Sequence, residues 1–174
     1  MGVQSAGKAF EVGLRRATDA DAPRVAAIWL AGWRDGHLGG VPDELVAVRT
    51  PESFRQRAAD RVADTTVAIV GEEVAGFIMV AGDEVEQVYV AAEHRGRGVA
   101  QVLLAEAERQ VANNGYGEAW LAVVASNARA RAFYAKAGWC DGGLFDYRAS
   151  TKSGTIAVPS HRYLKRVSRS DGRG

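Results

Sequence analysis

The sequence predicts a mixed α/β (α+β) domain with a central, mostly antiparallel sheet of about seven strands and helices on both faces. Three observations lead there. Segments with strand alternation and segments with helical spacing follow one another in the order β-α-α-β-β-β-α-β-α-β-β. Short polar turns at Gly71-Glu72-Glu73, Gly82-Asp83 and Ser150–Gly154 join neighbouring strands as hairpins. Only around Gly98 do two strands bracket a long helix, which predicts one parallel, right-handed β-α-β crossover in an otherwise antiparallel sheet.

Each element has its own signal. Phe10–Ala17 reads as the first strand, and Thr18-Asp19-Ala20-Asp21 as a capped helix start. The helix carries Val25, Ile28 and Trp29 on one side and runs towards Trp33. From Gly36 to Thr50 the pattern breaks into loop, with a short helical turn at Asp43–Val48. A second helix starts from a Thr50 cap with Pro51 in its first turn and continues through Phe54, Ala58 and Val62. Thr65–Val70 and Val74–Val80 form a hairpin, and the strand Val85–Val90 follows. A helix with Val99, Val102, Leu103, Ala107 and Val111 on one face ends at Asn113-Asn114-Gly115. Ala119–Val124 is a short apolar strand, Ser126-Asn127 opens a helix that Gly138 ends, and Leu144–Ala149 and Thr155–Lys165 complete the sheet.

At 174 residues the chain suits one domain, expected over residues 10–167 between short tails at 1–9 and 168–174. A formal net charge of +1 provides no field to attract nucleic acid or a membrane surface, and no apolar run approaches a membrane span. Cys140 is the single cysteine, so an intrachain disulfide is impossible and a reducing cytoplasm is the simplest compartment. With no histidine beside it, Cys140 reads as a buried or half-buried residue after Trp139 rather than a nucleophile. His37, His94 and His161 lack ligand spacing, which predicts no metal site; His94 is expected to face solvent or a phosphate.

The chemistry concentrates at Arg95-Gly96-Arg97-Gly98-Val99-Ala100, a glycine-rich loop that runs from a strand into a helix N-terminus. Outward-facing N–H groups and the helix dipole make such a loop a cradle for anions. A dinucleotide fingerprint fails because Gln101 stands where glycine is needed, and a Walker loop fails for want of Gly-Lys-Ser/Thr. What remains is Arg95-X-X-Gly98-X-Ala100 after Val88-Tyr89-Val90, paired with the later segment Asn127-Ala128-Arg129-Ala130-Arg131-Ala132-Phe133-Tyr134-Ala135-Lys136-Ala137-Gly138-Trp139. Together these resemble the two signature segments of the GCN5-related N-acetyltransferase superfamily, over roughly residues 65–140, with Trp139 at the usual Phe and Ala92 at a common Pro.

The resemblance implies acetyl-CoA as co-substrate, no metal, and an N-acetyltransferase acting on a primary amine of a small molecule or peptide by direct attack. The N–H groups of Gly96, Arg97, Gly98, Val99, Ala100 and Gln101 would bind pyrophosphate beside Arg95. Val88, Tyr89 and Val90 would pair with the pantetheine arm as an added peptide pairs with a sheet edge, with the Val90 N–H at the thioester oxygen. An amine of pKa about 10.4 is neutral in only about one molecule in a few thousand at pH 7, so a base is expected. Glu86 is the first choice and Glu84 competes, since alternation places both on one strand face. Tyr134 is the expected general acid for the thiolate, or else a packing aromatic beside Phe133. Asn127 would bind pantetheine, cap its helix, or both. Trp33 and Asp35 join Glu84 as candidates for the acceptor pocket, in a helical front that includes Trp29, His37 and Phe54. The family's habit suggests a homodimer. A non-catalytic acyl-CoA-binding module and a nucleic-acid-binding module built on Arg95–Gly98 are the rivals.

Overall fold

The computed structural model describes residues 11–169; the expected tail at 1–9 and residues 170–174 lie outside the described residues. Strands β1 (Val12–Arg16), β2 (Thr65–Val70), β3 (Glu73–Ala81), β4 (Glu84–Val90), β5 (Glu118–Val124), β6 (Cys140–Thr151) and β7 (Gly154–Arg166) make one sheet in the order β1-β2-β3-β4-β5-β7-β6. Every neighbouring pair is antiparallel except β4 and β5. The helices are α1 (Ala22–His37), α2 (Asp43–Val48), α3 (Pro51–Asp60), α4 (Val99–Asn113) and α5 (Ala128–Lys136). The predicted class and the parallel crossover through α4 are both present.

The centre of the sheet is buried on its two faces, which is why β3 is an unbroken apolar run rather than an alternating one. Trp29 and Trp33 of α1, Leu45 of α2 and Phe54 of α3 pack with Val67, Phe77 and Met79 on one face. Val99, Leu103, Leu104, Ala107 and Val111 of α4 pack with Ala68, Ile78, Val85 and Leu121 on the other. Phe133 and Tyr134 of α5 lie against this second cluster. Caps sit where the sequence put them. The Thr50 hydroxyl accepts the Ser53 N–H at 3.1 Å, and the Thr18 N–H donates to the Asp21 carboxylate at 2.7 Å.

Some boundaries differ from expectation. Helix α1 continues past Trp33 to His37, with Gly36 inside it rather than opening a loop. Gly36 is there for close approach: a Cβ on it would stand 2.9 Å from the Asn127 amide nitrogen. Strand β6 starts at Cys140, four residues before the predicted Leu144, with an irregularity between Asp141 and Leu144 that absorbs Gly142 and Gly143. Cys140 is exposed, contrary to the expected burial, because it lies on this outermost strand. Near the chain end the Arg169 guanidinium donates to Ala112 O (3.3 Å) and Asn113 O (3.2 Å), covering the last carbonyls of α4.

Candidate active site

The parallel pair β4/β5 sets up the site by failing to stay paired. Its ladder is confined to Glu84↔Trp120, where the Trp120 N–H reaches Asp83 O at 3.0 Å. Beyond that point the strands part. The Ala91 N–H donates to Ala75 O of β3 at 2.8 Å, so by the two-residue alternation of amide direction the Val88 and Val90 N–H groups face the gap towards β5. An opened sheet edge with free amides is what an extended, amide-bearing chain pairs with.

At the far end of the gap is the glycine-rich loop. Gly96 and Gly98 have φ of +77° and +81°, and nothing lies within 4 Å of where their Cβ atoms would be. Only glycine adopts this left-handed geometry without strain, and here it turns the chain into α4 while leaving room over the backbone. Val102 is the first α4 amide to reach a helical acceptor, Gly98 O at 3.2 Å, so the first-turn amides ahead of it point outward. A cleft of about 450 Å³ is lined by Val88, Tyr89, Val90, Arg95, Gly96, Gly98, Val99, Ala100, Gln101, Asn127 and Tyr134. The Val99 side chain is fully buried, so that residue contributes only backbone, while Val88 and Val90 are half-buried against the same core. Arg97 is exposed and stands outside the cleft wall.

A second cavity, of about 370 Å³, adjoins the first between α1, α3, β4 and the β6–β7 hairpin. Tyr89, Asn127 and Tyr134 line both, so Tyr134 stands where the two meet. Its ring is held by Phe133 (5.2 Å), Tyr163 (6.1 Å) and Trp139 (6.2 Å), and burial pushes the phenol's pKa up, which keeps the proton on at neutral pH. The Asn127 side chain accepts the Ala130 N–H at 3.1 Å, which is the capping role.

Glu84 and Glu86 both line this second cavity. Pairing shifts between Met79↔Gln87 and Val80↔Val85, leaving Glu86 as the extra residue of a bulge. Unbroken alternation would put Glu86 with Val88 and Val90 in the α4 core; the bulge re-aims it to the α3 side, where Arg61 pairs with it at 2.7 Å. Glu84 accepts the Tyr147 hydroxyl at 2.8 Å, and burial raises its pKa despite that bond.

Other candidates divide. Trp33 is almost fully buried but reaches the second cavity, stacked on His37 at 5.1 Å. Burial lowers the His37 pKa to about 4, so the imidazole is neutral at pH 7. Asp35 does not join them: it lies on the cleft side, paired with Arg95 at 3.0 Å, because α1 turns that residue away from Trp33 and Glu84. His94 is buried rather than solvent-facing, since the short turn Ala92–His94 folds it back on β3, where Nε2 lies 3.1 Å from Glu73; it still lines the cleft of the glycine-rich loop, the side on which the alternative expectation placed a phosphate. His94, Glu73 and Glu93 bring potential metal-ligand atoms within 4.8 Å of one another, with Arg24 already paired to Glu93. Sequence reasoning missed Arg49, Arg57, Arg61 and Tyr147, all in the wall of the second cavity. The available signal was the i, i+4 spacing of Arg57 and Arg61 beside the apolar Phe54/Ala58 stripe.

Residues 23–139 match the family model described as acetyltransferase (GNAT) family. The chain belongs to that family. This acetyltransferase has no match among curated proteins. Its fold is shared by a GCN5-related N-acetyltransferase from Rhodopseudomonas palustris, at 20% identity and TM-score 0.70, covering 93% of this chain and 100% of that one. A second is the PaiA N-acetyltransferase of Thermoplasma acidophilum, solved with coenzyme A (16% identity, TM-score 0.66, 90% and 99% covered). A third is yncA, a putative acetyltransferase of Salmonella typhimurium, solved with acetyl-CoA (16% identity, TM-score 0.65, 94% and 98% covered). Among the described residues of the acetyltransferase, no helix is long and apolar enough to cross a membrane.

Proposed function

We propose that the chain transfers the acetyl group of acetyl-CoA to a primary amine by direct attack in the gap between β4 and β5. One observation carries the reading: the cleft of the glycine-rich loop and the second cavity meet at Tyr134, beside the unpaired amides of β4. The residues fit acetyl-CoA, since the open backbone at Gly96 and Gly98 suits a pyrophosphate and the parted strand edge suits pantetheine. Acetyl-CoA, when bound, supplies an activated thioester.

The chain's own groups then have separate tasks. The Val90 N–H points into the gap and stabilises charge that develops on the thioester oxygen. Glu86 accepts the amine proton; its ion pair with Arg61 engages Oε2 and holds the carboxylate in this wall. Glu84, fixed by Tyr147, shapes the same wall. Tyr134, held protonated by burial, donates to the departing sulfur. Cys140 lines neither cavity, which favours attack by the amine over an acyl-enzyme route. A lone exposed thiol suits a reducing cytoplasm as the compartment.

The test is release of free CoA thiol from acetyl-CoA with a panel of primary amines. Amine-dependent release is expected. Acetyl-CoA binding with no release for any amine would make the chain a non-catalytic acyl-CoA-binding module instead.

A further inference from the structure

We infer that the acceptor is a small amine bearing its own anion, of the α-amino acid class or its phosphonate isosteres, whose anionic end is held by Arg49 and Arg57. This rests on the acetyl-transfer reading above and names its second substrate.

Arg49, between α2 and α3, is 8% exposed. One of its terminal nitrogens donates to Ser150 O at 2.7 Å, while its Nε is buried with no hydrogen-bond partner. Arg57 of α3 lies over the Trp29 ring at 4.2 Å, and its buried Nη1 is likewise without a partner. Among the described residues, no carboxylate comes within ion-pair distance of either guanidinium. The two cations also repel: burial first, then Arg49, lowers the Arg57 pKa to about 10. At neutral pH both stay charged, desolvated and partly unsatisfied, which is costly unless an anion completes the site. A guanidinium's planar fork matches carboxylate and phosphonate oxygens in bidentate fashion.

Coenzyme A does not account for them, because both arginines line the second cavity and neither lines the cleft of the glycine-rich loop. Nor do the neighbouring acids. Glu86 is engaged by Arg61, Glu84 by Tyr147, and Asp60 is bonded by Gln56. His37 adds no charge, being neutral at pH 7. The cavity therefore has surplus positive charge at its α2/α3 end and carboxylates at its β4 end, the pattern that orients a zwitterion with its amine towards β4. At about 370 Å³ it is at the small end of ligand cavities, which run from about 300 to 1,000 Å³.

The experiment compares free α-amino acids with the matching amino-acid amides and aminophosphonates, by calorimetric binding to the full chain and by thiol release with acetyl-CoA. Binding and kcat/KM are expected to favour the anionic compounds over the amides by about 10²-fold, as for a charge-assisted, desolvated contact. The carboxylate and phosphonate series identify which anion the site takes. In Arg57→Gln this preference should collapse through KM, with acetyl-CoA affinity unchanged; Arg49→Lys should weaken it in a folded protein. Equal binding of acids and amides, or a preference that survives Arg57→Gln, overturns the inference. Turnover of neutral amines without preference would sink this inference alone. Failure to turn over any amine would sink the acetyl-transfer reading, and the binding comparison would still decide the anion question.

Discussion

Replacing Gly32 with alanine puts a carbon where the Tyr89 ring already stands. Helix α1 crosses β4 so closely that a Cβ on Gly32 would lie 2.3 Å from Tyr89 Cδ1 and 2.9 Å from Cε1. Carbon contacts settle at about 3.5–4.0 Å, so helix or ring must move by about 1.2 Å or more. The ring packs on Phe77 at 5.7 Å, which limits its retreat on that side. Two stability effects oppose each other. Alanine gains about 1 kcal/mol over glycine within a helix, and overpacking costs about 1–3 kcal/mol. The net loss is at most about 2 kcal/mol, a Tm drop of no more than about 8 °C in a domain this size. The effect on turnover should be larger. Gly32 and Tyr89 line both cavities, and Tyr89 lies between the two amides that face the gap. Misplacement by about 1 Å can cost about 10²-fold in rate, so kcat/KM of Gly32→Ala should fall by that order while the protein stays folded. Gly117→Ala, where nothing lies within 4 Å, is the matched control. Steady-state thiol release and thermal melts on both variants make the comparison. Full activity and unchanged Tm in Gly32→Ala would refute the close α1–β4 contact and the reasoning built on it.

Three further outcomes are expected. Tyr134→Phe should lower kcat by about 10²–10⁴-fold, the range for a lost general acid, with the calorimetric Kd for acetyl-CoA nearly unchanged; unchanged turnover removes Tyr134 from the chemistry. Glu86→Gln should displace the rising limb of the pH–rate profile to higher pH, because only the unassisted neutral amine then reacts, whereas Glu84→Gln should leave the limb in position; the reverse pattern assigns the base to Glu84. Hydrogen bonds from Arg15 hold the Asp21 carboxyl at about 2, below its unfolded value of about 4. Its stabilisation is therefore fully present above about pH 4 and is lost as pH falls through 2, so the urea stability of Asp21→Asn should trail the parent at neutral pH and converge with it near pH 2.

The cleft of the glycine-rich loop was legible because its residues are local in sequence. A strand, two glycines and a helix start occupy consecutive positions, and Asn127, Tyr134 and Gly138 recur at fixed spacing on one helix and its cap. The second cavity was not. Arg49 and Arg57 meet Trp29 and Ser150 only because α3 and the β6–β7 hairpin close over α1, contacts that span up to 101 residues. Glu86 lines the second cavity for a reason that alternation misses: counted from Val90, alternation would bury it, and only the bulge opposite Val80 turns it to Arg61. Asp35, two residues from Trp33, was grouped with it by sequence proximity, which on a helix puts neighbours on different faces.

We propose that acetyl-CoA lies along the unpaired edge of β4 with its thioester between the Val90 N–H and Tyr134. A crystal structure with a non-hydrolysable acetyl-CoA analogue tests it most directly. The prediction is pyrophosphate on the amides of Gly96–Gln101, the thioester oxygen within about 3.2 Å of the Val90 nitrogen, and the Tyr134 hydroxyl facing the sulfur. An analogue bound elsewhere, or a gap between β4 and β5 that closes in the complex, would contradict it.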